Sequence, residues 1–245
     1  MIPKLDDLET WIRDCVAHLR DIHGYDVTRA HENEFYLLFG VIVRTMRYAD
    51  AFLDLMESRK EPEAVPLARA ALEHAITLQW VFVSDGGINR FSREVAHDRI
   101  SHYTNLATWL GNTELAGVVA QLDAPPEGKR LAPFGNLLAD LDQEKFLATS
   151  YHILSQQVHV THAGVAAALV QGPEELHITY EQTYPYRTEA TYAVAAACML
   201  ARWVLAKLTN DEVLLERLDK VSDELHLPMT LVESLPKKKR RRGLS

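Results

Sequence analysis

Pro66-Leu-Ala-Arg-Ala-Ala-Leu-Glu-His74 sets two charges early in an otherwise apolar stretch. Wound at 3.6 residues per turn, Arg69 and Glu73 fall on one stripe with Val65, Leu72, Ile76 and Trp80. That stripe is expected to face a core, so the spacing predicts a helix that carries an ion pair inward. Burying charge is costly unless it is paired, so the placement needs a reason, either a site or a structural clasp. Pro62 opens this helix and Asp85-Gly86-Gly87 closes it, giving residues 63–83.

Read outward from this helix, nearly everything is helical. Residues 5–22 form a first amphipathic helix, and 31–58 a long one with Leu38, Val41, Tyr48, Phe52 and Leu55 at helical spacing. Residues 89–110 and 113–122 follow, separated by Gly111-Asn112. Residues 123–136 hold three prolines, two glycines and Phe134, and read as a long loop. Helix resumes at 137–141 and 143–158, with a further stretch to 170 bent near Gly164. Residues 172–186 alternate Leu176, Ile178 and Tyr180, as an extended arm or a short strand pair does. Helices at 188–208 and 210–225 complete the chain. The expectation is an all-α fold: one helical bundle over residues 1–232, with a disordered basic tail over 233–245.

The 245 residues carry a formal charge of −8, but six of the 26 basic residues sit in Lys237-Lys-Lys-Arg-Arg-Arg242. The remainder holds 20 basic against 34 acidic residues, a balance of −14. Such a body argues against a broad nucleic-acid-binding face, although the tail is a candidate contact for RNA, DNA or an acidic protein partner. Cys15 and Cys198 have no metal-type spacing and fit a cytoplasmic protein with two small core thiols. Acidic residues directly after Lys4 are unlike a signal peptide. The apolar run from Ala190 to Leu208 is interrupted by Arg202 and Lys207, as suits a buried helix rather than a membrane span.

Several residues are candidates for chemistry. Arg69 and Glu73 form either a clasp or a substrate grip for an anion such as phosphate, with His74 just off their face. Projection of helix 89–110 puts Arg99 inside an apolar face of Ile88, Val95, Tyr103, Leu106 and Leu110, and His102 at its edge. Glu73 or Glu34 is the expected partner of Arg99. Tyr151, Ser155, His159 and His162 share another stripe, suggesting a polar line at a helix interface or pocket wall. A Ser–His pair one turn apart raises nucleophilic hydrolysis, but no Gly-x-Ser-x-Gly elbow accompanies it. Glu94-x2-His97 and Glu174-x2-His177 have di-iron bundle spacing, yet the first pair projects away from the apolar face and the second lies in the arm. No metal or cofactor is expected.

Leu67-Ala-Arg-Ala-Ala-Leu-Glu73 and the later Tyr151-His-Ile-Leu-Ser-Gln-Gln-Val-His159 resemble a widespread bacterial family of uncharacterised helical proteins, over about residues 33–164. That family is similar to HEPN domains, helical bundles that often dimerise and in many members cleave RNA. The resemblance implies a homodimer and a metal-independent ribonuclease of toxin or phage-defence type, its site built from Arg69, Glu73 and His159. HEPN ribonucleases place His four to six residues after Arg, and Arg69-x4-His74 has this spacing, whereas residues 153–155 before His159 are Ile-Leu-Ser. Two other functions stay open: a non-enzymatic helical interaction module and a metal-dependent helical-bundle enzyme.

Overall fold

The computed structural model describes residues 3–243 except 23, 143, 160, 163–165, 167–168, 172–175 and 179–183. Among these residues the chain forms α1 (Leu5–Asp21), α2 (Glu32–Glu57), α3 (Glu61–Val83), α4 (Gly87–Leu110), α5 (Thr113–Ala120), α6 (Phe134–Leu141) and α7 (Phe146–Ser155). A short antiparallel pair follows, β1 (Leu169–Gln171) with β2 (Leu176–Ile178), in register Val170 to His177. Then come α8 (Arg187–Thr209) and α9 (Glu212–Leu225). The all-α expectation holds; β2 lies within the expected arm at 172–186, whereas β1 takes Leu169 and Val170, where the spacing predicts the end of a helix. The bend at Gly164 and the side of Tyr180 lie outside the described residues.

The bundle is organised by α3 and α8, each buried on nearly every side. From Leu78 to Val83 every α3 side chain is buried, and from Ala193 to Ala206 every α8 side chain is. α3 packs between α2 and α8, α1 lies on α8 and α2, and α9 covers α8. α6 and α7 lie against α3. α8 is long and apolar enough to cross a membrane, but 89% of its apolar window is buried by the rest of the protein.

Polar groups inside the bundle are mostly satisfied, as burial requires. Gln79 donates to the Leu200 carbonyl at 2.9 Å and accepts from the Leu231 N–H at 3.2 Å. Arg187 reaches Glu9 at 3.1 Å and Glu61 at 3.2 Å, tying the starts of α8, α1 and α3 together. Cys15 and Cys198 are free and buried core thiols. A hydrogen bond to Cys15, together with burial, pushes the Cys198 thiol up.

The α3–α4 turn depends on its glycines. Gly86 adopts φ 69°, and a Cβ at Gly87 would collide with the Val81 carbonyl. Beyond this turn α4 leaves the bundle. Of its 24 residues only Gly87 and Ala107 are buried, and α5 buries none. Arg99 and His102 are therefore exposed, correcting their expected inward placement. The projection gives the apolar side of α4, but among the described residues the bundle does not cover its outer part, which meets the short α5.

The basic block is also corrected. Instead of a free end, Lys237–Lys239 forms a 3₁₀ turn docked against the α3–α4 connection. Arg241 N–H donates to the Val83 carbonyl and Asp85 N–H to the Lys239 carbonyl. Lys239 pairs with Asp140 at 2.9 Å and Arg241 with Glu34 at 2.6 Å.

Candidate functional site

Arg69 lies two turns into α3, where the helix meets α7. Its Nη2 donates to the Tyr151 hydroxyl at 2.6 Å and more weakly to Glu73 Oε1 at 3.5 Å. The Tyr151 O–H donates in turn to Glu73 Oε1 at 2.5 Å. The guanidinium carbon also sits 4.8 Å from the Tyr151 ring centroid, within cation–π range. Tyr151 is thus the hinge of the cluster, relaying between a cation and a carboxylate one turn apart.

On the outer edge, Arg69 Nη1 lies 3.2 Å from His159 Nε2. A guanidinium has donors only, so Nε2 is the acceptor and the ring proton sits on Nδ1. His159 is exposed, while the side chains of Arg69 and Glu73 keep 17% and 32% of their accessibility. The ion pair expected to point inward therefore occupies the rim of the core. Arg69 Nε is buried without a hydrogen-bond partner among the described residues, so the arginine is held through its two Nη groups.

α7 ends at Ser155, not at 158, and Ser155 Oγ spends its proton on the Tyr151 carbonyl at 2.7 Å. That bond is the usual back-bonding of a helical serine. The four-residue stripe is consequently broken after Ser155. A turn with Val158 and His159 N–H groups bonded to the Ser155 carbonyl still brings His159 to Arg69. His162 is exposed and joins none of these contacts among the described residues.

Phe134 closes the cluster, its ring 4.8 Å from that of Tyr151. By composition Phe134 belongs to a loop; it is the first residue of α6, and an aromatic residue among prolines and glycines is the available signal. Burial first, then the bond to Glu73, pushes the Tyr151 phenol above its ordinary value. Tyr151 therefore remains a neutral donor.

The other candidates sit elsewhere. His74 donates from Nδ1 to the Ala70 carbonyl at 2.8 Å and stacks edge-on against Tyr48 of α2, so Arg69-x4-His74 is a spacing without a contact. Glu34, an expected partner for Arg99, is held by Arg241 and His31. Glu94 is gripped through both oxygens by Arg130, at 2.8 and 2.6 Å, which holds its carboxyl below the usual range. No group of three or more metal-type ligands occurs among the described residues, and Glu174 lies outside them.

The residue that does enter the centre is Arg202, 1% exposed, with Nη1 3.9 Å from Cys15 Sγ and its guanidinium over Trp11. By sequence Arg202 only interrupts an apolar run; an arginine inside so alanine-rich a helix is the signal of its burial.

Comparison with curated proteins and with solved structures finds no match to either. A family model does match, over residues 35–175, a span that takes in α2 from Phe35 onward, α3 and the whole Arg69–Glu73–Tyr151–His159 cluster. The chain belongs to the family of unknown function DUF5677.

Proposed function

We propose that this helical protein acts on RNA, cleaving a phosphodiester without a metal at the Arg69–His159 edge. The observation that carries the reading is the 3.2 Å approach of an acceptor Nε2 on exposed His159 to Arg69 Nη1. An anionic phosphate oxygen entering this edge takes the Arg69 donor and releases the imidazole lone pair. His159 then accepts the 2′-hydroxyl proton as the 2′ oxygen attacks phosphorus. The P–O5′ bond breaks, and the same proton passes to the departing 5′ oxygen. The products are a 2′,3′-cyclic phosphate and a 5′-hydroxyl. Arg69 offsets the charge on the pentacoordinate phosphorus, while Tyr151 and Glu73 hold the guanidinium in place. Exposed Lys237, Lys238 and Arg242 are the tail cations offered to the RNA backbone in this reading. A homodimer in the cytoplasm, of toxin or phage-defence type, belongs to the same proposal.

The test incubates the purified protein with RNA under chelator, beside Arg69→Ala and His159→Ala. Cleavage by the wild type with cyclic-phosphate ends, lost at least 100-fold in both variants, supports it. Absence of cleavage, or equal cleavage by all three, removes it.

A second reading, a non-enzymatic interaction module, is favoured by the closed set of hydrogen bonds among Arg69, Tyr151 and Glu73. The cluster is then a clasp between α3 and α7, and Arg69→Ala lowers the melting temperature while leaving RNA untouched.

A further inference from the structure

A well-formed hollow among the described residues is remote in chemistry from the Arg69 cluster. A cleft of about 660 Å³ opens between the α6–α7 junction, α8 and the segment that follows α9. Its floor is apolar, with Leu141, Leu147 and Leu231 buried beneath it. Phe146 and Tyr192 meet edge to face at 5.9 Å in its wall. Its rim carries only carboxylates as full charges. Asp142 and Glu144 come from the α6–α7 junction, Asp223 from the end of α9 and Glu233 from the segment after it; His226 also lines it, and among the described residues no lysine or arginine does.

These four carboxylates form no ion pair among the described residues. Asp142 accepts the Ala148 N–H at 2.6 Å and so has a structural duty as well. The carboxylates of Asp223 and Glu233 have no such duty. A hollow of several hundred cubic ångströms with an apolar floor and a few convergent polar groups is the usual form of a small-molecule site. Rim carboxylates over a methylene-compatible floor select a ligand with cationic ends and an apolar middle.

We infer that this cleft binds an aliphatic polyamine, its ammonium groups paired with the carboxylates of the rim and its methylenes laid on the leucine floor. The aromatic wall adds cation–π attraction for an ammonium passing over it. The site is separate from the Arg69 edge, although α7 contributes Phe146 and Leu147 to one and Tyr151 to the other. Its occupancy needs no nucleic acid.

The experiment titrates spermidine into the full-length protein by calorimetry at about 0.15 M salt, where diffuse surface attraction is screened. Saturable binding at one per chain is expected. Asp223→Asn with Glu233→Gln is expected to weaken it at least tenfold. Glu216→Gln with Asp219→Asn, which removes the same charge from the exposed face of α9 outside the cleft, is expected to change it less than twofold. A neutral diol of equal length is expected not to bind. Since all four substitutions fall on exposed side chains, thermal melts serve to confirm that both variants are folded. In the wild type, spermidine is also expected to shift the proton resonances of the Phe146 and Tyr192 rings. No saturable binding overturns the inference, as does equal weakening by the two double variants, equal binding of the diol, or ring resonances that stay in place at saturation.

Discussion

Tyr151 joins the polar cluster with a single hydroxyl, accepting from Arg69 and donating to Glu73. Removing that oxygen leaves Glu73 with an arginine at 3.5 Å, the weakest contact of the three. Tyr151→Phe keeps the ring against Phe134 and should cost about 1 kcal/mol, or roughly 2–4 °C in Tm for a chain of this size. Its pH signature is equally specific. Because burial and Glu73 raise the phenol, the folded state holds this proton more tightly than the unfolded chain. The resulting stability is complete below pH about 10 and is lost as pH rises through the raised value. Thermal melts from pH 8 to 11 should show this alkaline loss in the wild type and a smaller one in Tyr151→Phe; identical curves refute the account. Arg69, Glu73 and Tyr151 were legible in the sequence because each pair recurs at one turn on an element that is truly helical. His159 was picked for the wrong local reason, since α7 stops at Ser155 and a turn delivers it. Arg202 shows the converse limit: a side chain is assigned to the centre by what surrounds its helix, and periodicity carries no such information when every face is apolar.

At the scale of elements, the misread pieces are those whose partners lie far away in sequence. α4 has the apolar stripe of a packed helix, yet Val95, Tyr103 and Leu110 are exposed, because beyond its first turns α4 meets only the short α5 among the described helices. The basic tail has the composition of a solvated end, and composition is blind to Asp140 and Glu34 waiting about 100 and 200 residues earlier. Asp140 is the part of this docking that pH can reach. Burial pushes its carboxyl up, but hydrogen bonds from Lys239 and Trp80, with the charges of Lys239 and Arg90, together hold it below its ordinary value. Its contribution is therefore present above pH about 4 and is lost as pH falls through the lowered folded value. Asp140→Asn should lower Tm at neutral pH by a few degrees, about 1 kcal/mol, and flatten the loss of stability between about pH 4 and 2. Urea titrations across that range decide it, and an unchanged acid limb would mean that the tail is not held through Asp140.

For the whole molecule, stability is distributed very unevenly, and the four tryptophans report the division. Trp11, Trp80 and Trp203 are each 4% exposed and sit on α1, α3 and α8, the helices that make the core. Trp109 is 82% exposed, near the end of the projecting α4. Burial of apolar side chains is the main driving force for folding, and α3 and α8 hold most of it whereas α4 beyond Ala96 and α5 hold little. Regions with few buried contacts open locally at low free energy, while a helix buried all round exchanges its amides only when the whole domain unfolds. Amide hydrogen exchange should thus divide the chain, with α3 and α8 protected near the global limit and α4 from about residue 97 through α5 exchanging orders of magnitude faster. Acrylamide should quench a minor, fully accessible part of the tryptophan emission in the native protein, and Trp109→Phe should abolish that part without altering the melting curve. Slow exchange in α5, or a tryptophan population wholly shielded from acrylamide, would show that the α4–α5 hairpin is covered in solution.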